Sequence, residues 1–162
     1  MAGYGSDDAF QAWLSGNGHA LPAGAPAAAV LRQRGSAYID ATYGLRFPGQ
    51  PVGGFDQDRA WPRAGAVLIS GAFVPPEVVP NAVVQASYAA AFQEAVSPGS
   101  LSVVGSVAGR VKREKVEGAV EVEYQVGGDM SAAGWVPILT AVEGLLAPLL
   151  VPVAPIPGIV VV

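Results

Sequence analysis

The sequence predicts a mainly α fold of the α+β class: a small bundle of about four helices with an inserted β-hairpin arm, a long irregular loop and an extended apolar C-terminal tail. Three observations carry this reading. Apolar residues recur at helical spacing in separate segments, each opened by a capping residue or proline and closed by glycine or proline. Between residues 101 and 125 the period changes from helical to alternating. Between Gly44 and Phe73 no period persists, and the stretch exceeds the roughly 12–15 residues that compact domains tolerate without structure.

The first helix opens at Ser6, whose hydroxyl can accept from free backbone N–H groups, with Asp7 and Asp8 at the positive end of the helix dipole. Phe10, Trp13 and Leu14 supply its apolar face, and it ends near Gly16–Gly18. His19, the single histidine, follows in a small-residue turn, and a surface or capping role fits it better than catalysis. The second helix takes Pro26 as its first residue and runs to Tyr43, with Gly44 as its stop. Leu31, Gly35, Tyr38, Ile39 and Thr42 share a core face, while Arg32, Ser36 and Asp40 line a wet one. Glycine inside a helix costs about 1 kcal/mol relative to alanine, so Gly35 predicts a close helix crossing.

The loop that follows holds Phe47, Phe55 and Trp61 among Arg46, Asp56, Asp58, Arg59 and Arg63. Two readings stay open: salt bridges closed within the loop, or an aromatic and arginine surface of the kind that anchors protein interfaces. Pro75 and Pro76 announce the third helix, with Pro80 in its first turn or at a break between two pieces. Val84, Tyr88, Ala91 and Ala95 form its stripe, and Ser97–Pro98–Gly99 end it. In the arm, Val120, Val122 and Tyr124 alternate with Glu121 and Glu123. A three-residue turn at Glu117–Ala119 sets Lys115 opposite Glu121 and Arg113 opposite Glu123, whereas a two-residue turn opposes Glu114 to Glu121. The three-residue turn is favoured, and it spends the basic cluster Lys112, Arg113 and Lys115 on neighbouring glutamates rather than on nucleic acid.

The fourth helix takes Pro137 in its first turn and presents Ile138, Val142, Leu145, Leu146 and Leu149 on one broad face. Each buried leucine contributes roughly 1.5–3 kcal/mol, which makes this helix a main supplier of core. Residues 1–150 thus read as one domain and 151–162 as a tail. VPVAPIPGIVVV is uncharged and unable to form a helix, and a neighbour's groove or sheet edge suits it better than its own core.

Composition narrows the function. Charged residues make up 14% of the 162, below the roughly 25% of soluble domains, which favours an oligomer. The net charge of −4 opposes unscreened affinity for phosphate backbones. There is no cysteine, the start lacks a secretory leader pattern, and prolines 148, 152, 155 and 157 interrupt the uncharged end as a membrane span. A cytoplasmic, non-membrane protein is expected. No histidine-based triad, phosphate-cradling glycine pattern, metal set or cofactor motif is present, so an enzyme is not expected.

In order, AVLRQRGSAYIDATYGLRFPG, RAWPRAG, VPPEVVPNAVVQASY, VKREKVEGAVEVEY and LLAPLL resemble a family of small tailed-phage proteins labelled DnaT-like single-stranded-DNA-binding proteins, over nearly the full length. That family is similar in layout to phage head-to-tail connector adaptors. The resemblance implies a structural virion protein at the head-to-tail junction, assembled from the host cytoplasm as a ring of about a dozen copies. Its partners would be the portal above, a tail or stopper protein below, and packaged double-stranded DNA passing without sequence-specific binding. Single-stranded-DNA binding is the alternative. Candidate interface residues are Arg46, Phe47, Phe55, Arg59, Trp61 and Arg63 in the loop, and Lys112, Arg113 and Lys115 in the arm. The tail adds Ile156, Ile159, Val160, Val161 and Val162, for which the family supplies no docking site.

Overall fold

The computed structural model describes residues 2–102 and 139–152. The hairpin arm with Lys112, Arg113 and Lys115, the helix start at Pro137 and Ile138, and Ile156, Ile159, Val160, Val161 and Val162 lie outside the described residues. Within them the fold is mainly α: α1 Asp7–Gly16, α2 Ala28–Tyr43, α3 Asn81–Val96 and α4 Thr140–Leu146, with a small antiparallel ribbon of β1 Gln50–Pro51 and β2 Arg63–Ala64.

α1 starts as its sequence dictates. Ser6 is extended and its hydroxyl accepts from the Ala9 N–H at 3.2 Å, and Phe10 and Leu14 are buried. His19 remains exposed, yet its ring stacks on Phe92 with centroids 4.2 Å apart. α2 begins two residues after Pro26, so that proline lies outside the helix, just before its Ala27 cap. Pro80 occupies the equivalent cap position ahead of α3. Gly44 does not stop α2 in a left-handed turn. It keeps right-handed angles, and the chain tightens into a 3₁₀ turn through Arg46 before extending at Phe47.

Two clusters make the core. Phe10, Leu14, Leu31, Tyr88, Ala91 and Ala95 join α1, α2 and α3. On the other side, Ile39, Tyr43, Val83, Ala86 and Ala90 meet Val142, Leu146, Leu149 and Leu150 together with the long loop. The predicted stripe of α3 is therefore one of two, because its many alanines let neighbours approach from both sides. α2 and α3 cross where Gly35 predicts: a β-carbon there would lie 2.7 Å from the Ala91 nitrogen and would also strike the Ser87 carbonyl oxygen. α4 is shorter and narrower than its pattern suggests, passing into a 3₁₀ turn at Ala147–Leu149 and leaving Leu145 38% exposed.

The wet face expected for Arg32, Ser36 and Asp40 is largely dry. Arg32 is 8% exposed and Ser36 0%. The reason is the chain start, which lies along this face. Ser36 Oγ accepts from the Tyr4 N–H at 2.8 Å, and Arg32 Nη1 donates to the carbonyls of Gly3, Tyr4 and Gly5 at 2.8–3.1 Å. Arg32 Nε completes the set on Asp7 at 2.7 Å. Polar residues spaced at i, i+4 mark a face that needs partners, and here the partner is backbone rather than water.

Candidate interaction surface

The excursion from Gly44 to Val74 crosses the bundle with one side inward and one outward. β1 and β2 pair Gln50 with Ala64 and Pro51 with Arg63, and a further bridge links Val67 to Phe73. Paired runs of two residues are too short for alternation to be visible in the sequence.

The inward side is held by aromatics and by a buried polar network. Trp61, 1% exposed, meets Phe47 edge to face at 5.6 Å, and both belong to the core. Tyr4 Oη donates to Asp40 Oδ1 at 2.5 Å and accepts from the Trp61 N–H at 3.1 Å. Arg59 Nη1 reaches Asp40 Oδ2 at 3.2 Å, and Arg59 Nε donates to the Ala2 carbonyl at 2.9 Å. Burial raises the Asp40 pKa above the usual carboxylate value, against the hydrogen bonds from Tyr4 and Arg59 that favour its charge. Burial, with the Asp40 carboxylate as a second cause, also holds the Tyr4 phenol protonated well above its ordinary range. Arg63 donates to the carbonyls of Phe47, Pro48, Gly49 and Ala60, and burial lowers its pKa. Arg46 faces Glu143 at 3.7 Å, and its carbonyl accepts from the Val151 N–H at 2.8 Å.

The outward side carries large apolar side chains beside exposed Gln50, Asp56 and Asp58. Phe55 and Leu45 are fully exposed and Val52 is half-exposed, and Val67, Ile69 and Phe73 are exposed further along the segment. Leu45 and Phe55 share the wall of an open hollow of about 530 Å³, with Phe47, Pro51, Arg59 and Arg63 among its other lining residues. The turn carrying Phe55 is braced by Gln57. Its Oε1 accepts from the Gly53 N–H at 2.8 Å, and its Nε2 donates to the carbonyls of Arg59 and Pro62 at 2.7 and 3.0 Å.

Of the six loop residues singled out by sequence, the structure brings Arg46, Phe47, Arg59, Trp61 and Arg63 into internal contacts and leaves Phe55 free. Sequence reasoning missed Leu45 and Val52, and it missed Tyr4, an isolated aromatic among glycines with no periodic neighbour to mark it. Arg32 with Asp7 and Arg34 with Glu94 complete the accounting of arginines, so all five in the described residues are engaged within the chain. A second hollow, of about 610 Å³, contains the Arg34–Glu94 pair, whose charges are already matched. Among the described residues no group of three or more His, Cys, Asp or Glu side chains could hold a metal, and no helix is long and apolar enough to cross a membrane.

A family model described as "Putative DnaT-like ssDNA binding protein" matches residues 2–158. That description names a binding protein, not an enzyme. No curated protein and no solved structure matches the chain.

Proposed function

The chain belongs to the DnaT-like ssDNA binding family, and within it we propose that this member works as a structural subunit: a head-to-tail connector adaptor that forms a ring between phage portal and tail. One observation carries the reading. The five arginines of the described residues pair with carboxylates or carbonyls of their own chain, Arg34 and Arg46 while still part-exposed, and Leu45 and Phe55 stand fully exposed on a braced loop. Such a surface suits another protein, since a rigid apolar anchor loses little freedom on docking. Asp56, Asp58 and Glu77 are exposed, and on this reading their negative charge would help DNA pass without adhering. Mixing the full-length chain with portal assemblies tests this: rings seen by electron microscopy and a native mass of portal plus a full set of subunits are expected. A monodisperse monomer indifferent to portal would refute it.

The family description favours a second reading, binding of single-stranded DNA. Such sites combine a cationic groove with stacking aromatics. Trp61 and Phe47 are buried, so phosphate contacts on this reading would fall to Arg110, Lys112, Arg113 and Lys115. Fluorescence anisotropy with a labelled oligonucleotide decides it. Binding that weakens steeply with salt and is lost on replacing those four residues supports the reading, and no binding at low salt removes it.

A further inference from the structure

We infer that Tyr4 is the positioning residue of the loop that carries Phe55, and that segment 2–5 works as a clasp whose release frees this loop while the helix bundle stays in place. That the loop docks on another protein rests on the reading above; the clasp rests on geometry alone. Among the described residues, the hydrogen bonds that fasten the stretch between Phe47 and Phe73 to the rest of the chain leave from three consecutive residues, Arg59, Ala60 and Trp61. They end on Ala2, Tyr4, Gln33 and Asp40, so the clasp supplies two of the four landing points. Tyr4 Oη joins them: it accepts from the Trp61 N–H at 3.1 Å and donates to Asp40, which itself holds Arg59 at 3.2 Å. The Arg59 guanidinium also lies over the Tyr4 ring, 5.9 Å from its centroid.

Two glycines seat the clasp. A β-carbon at Gly3 would come 2.6 Å from the Arg32 carbonyl carbon on α2 and 2.7 Å from its oxygen. Gly5 has φ +67°, and a β-carbon there would strike the Tyr88 hydroxyl on α3. With the Tyr4 N–H donated to Ser36 Oγ, these close approaches leave the Tyr4 side chain to bridge α2 and the loop. The bundle has support of its own, since the α2–α3 crossing at Gly35 is formed by Ser87 and Ala91 and by no atom of segment 2–5. Removing the Tyr4 hydroxyl alone therefore strikes the loop first: the buried Trp61 N–H loses its acceptor, and an unmet buried donor carries its full desolvation cost.

Hydrogen exchange of full-length Tyr4→Phe, read residue by residue, tests the clasp without any partner present. The Trp61 amide and its loop neighbours should exchange roughly tenfold faster or more, while amides at the α2–α3 crossing stay near parent rates. Gly3→Ala keeps the hydroxyl but lifts the segment from α2, and it should accelerate the same loop amides; Tyr4→Phe decides alone where Gly3→Ala does not fold. Added to portal assemblies, Tyr4→Phe should enter rings several-fold less than the parent. An unchanged Trp61 amide would overturn the clasp. Equal acceleration throughout α2 and α3 would overturn it too, making Tyr4 an ordinary part of the core. Loop-specific acceleration in a chain whose parent ignores portal would uphold the clasp and remove the adaptor reading.

Discussion

Replacing Gly35 by alanine sets two opposed effects against each other, and the helix crossing decides the sign. Alanine is favoured over glycine inside a helix by about 1 kcal/mol. Against that, the added methyl would sit 2.7 Å from the Ala91 nitrogen and 3.1 Å from the Ala91 Cα, and it would also collide with the Ser87 carbonyl oxygen. These are backbone atoms of α3 and cannot rotate aside, so α2 and α3 must separate along their contact. Overpacking of this kind costs about 1–3 kcal/mol, and the absence of a flexible neighbour places it in the upper part of that range. The net expectation is a loss of about 1–2 kcal/mol. With a urea slope of about 1–3 kcal/mol per molar, the unfolding midpoint should fall by about 0.3–2 M with the slope unchanged. Circular dichroism in a urea series measures it. An unchanged or raised midpoint would show that propensity governs and that the crossing yields freely, refuting the packing account.

Trp61→Ala should cost about 3–5 kcal/mol in the same urea series, because a buried indole leaves a cavity against Phe47; a loss below about 1 kcal/mol would mean the loop is not core. Phe55→Ser should leave stability within about 0.5 kcal/mol while reducing self-association in sedimentation, since the ring meets solvent in the isolated subunit. Stability should also fall as pH rises above about 10. Burial raises the pKa of both Tyr4 and Tyr43, so the folded chain retains phenolic protons that the unfolded chain releases, and each contributes a slope of about 1.4 kcal/mol per pH unit. Tyr43→Phe should remove one share of that slope, and a flat profile to pH 11 would contradict the burial.

Local signals in the chain proved legible where both partners of an interaction are close in sequence or where one residue type has one physical use. Ser6 caps α1 because its hydroxyl needs a donor three residues on. Gly35 marks a crossing because little else justifies glycine inside a helix. The inward turn of Arg32 and Ser36 was not legible, since their partners are backbone groups of residues 3–5, about 30 positions upstream and without any pattern of their own. The loop was legible as a structured excursion but not as a sided one. Phe47 and Trp61 go in and Phe55 goes out, and without a repeating period nothing in the order of residues distinguishes them. Its arginines posed the same difficulty, because a guanidinium serves a carbonyl of its own chain and a partner's carboxylate through the same geometry.

That internal use of arginine bears on function. Arg63 spends its donors on carbonyls of Phe47, Pro48, Gly49 and Ala60, and Arg59 ties the loop to Asp40 on α2 and to the chain start at Ala2. A loop held this way presents Phe55 on a fixed turn, braced from below by three hydrogen bonds of Gln57. Had the arginines faced outward, the same segment would be a mobile cationic surface suited to phosphates, with affinity dominated by counterion release. Facing inward, they convert charge into shape. The energetic consequence is that docking on Leu45 and Phe55 orders few groups that are not already ordered, so more of the apolar burial appears as net affinity. On the adaptor reading proposed above, a ring contact repeated in every subunit would benefit from this in each copy, and a braced loop with an exposed phenylalanine suits a docking surface between proteins better than a strand-binding groove.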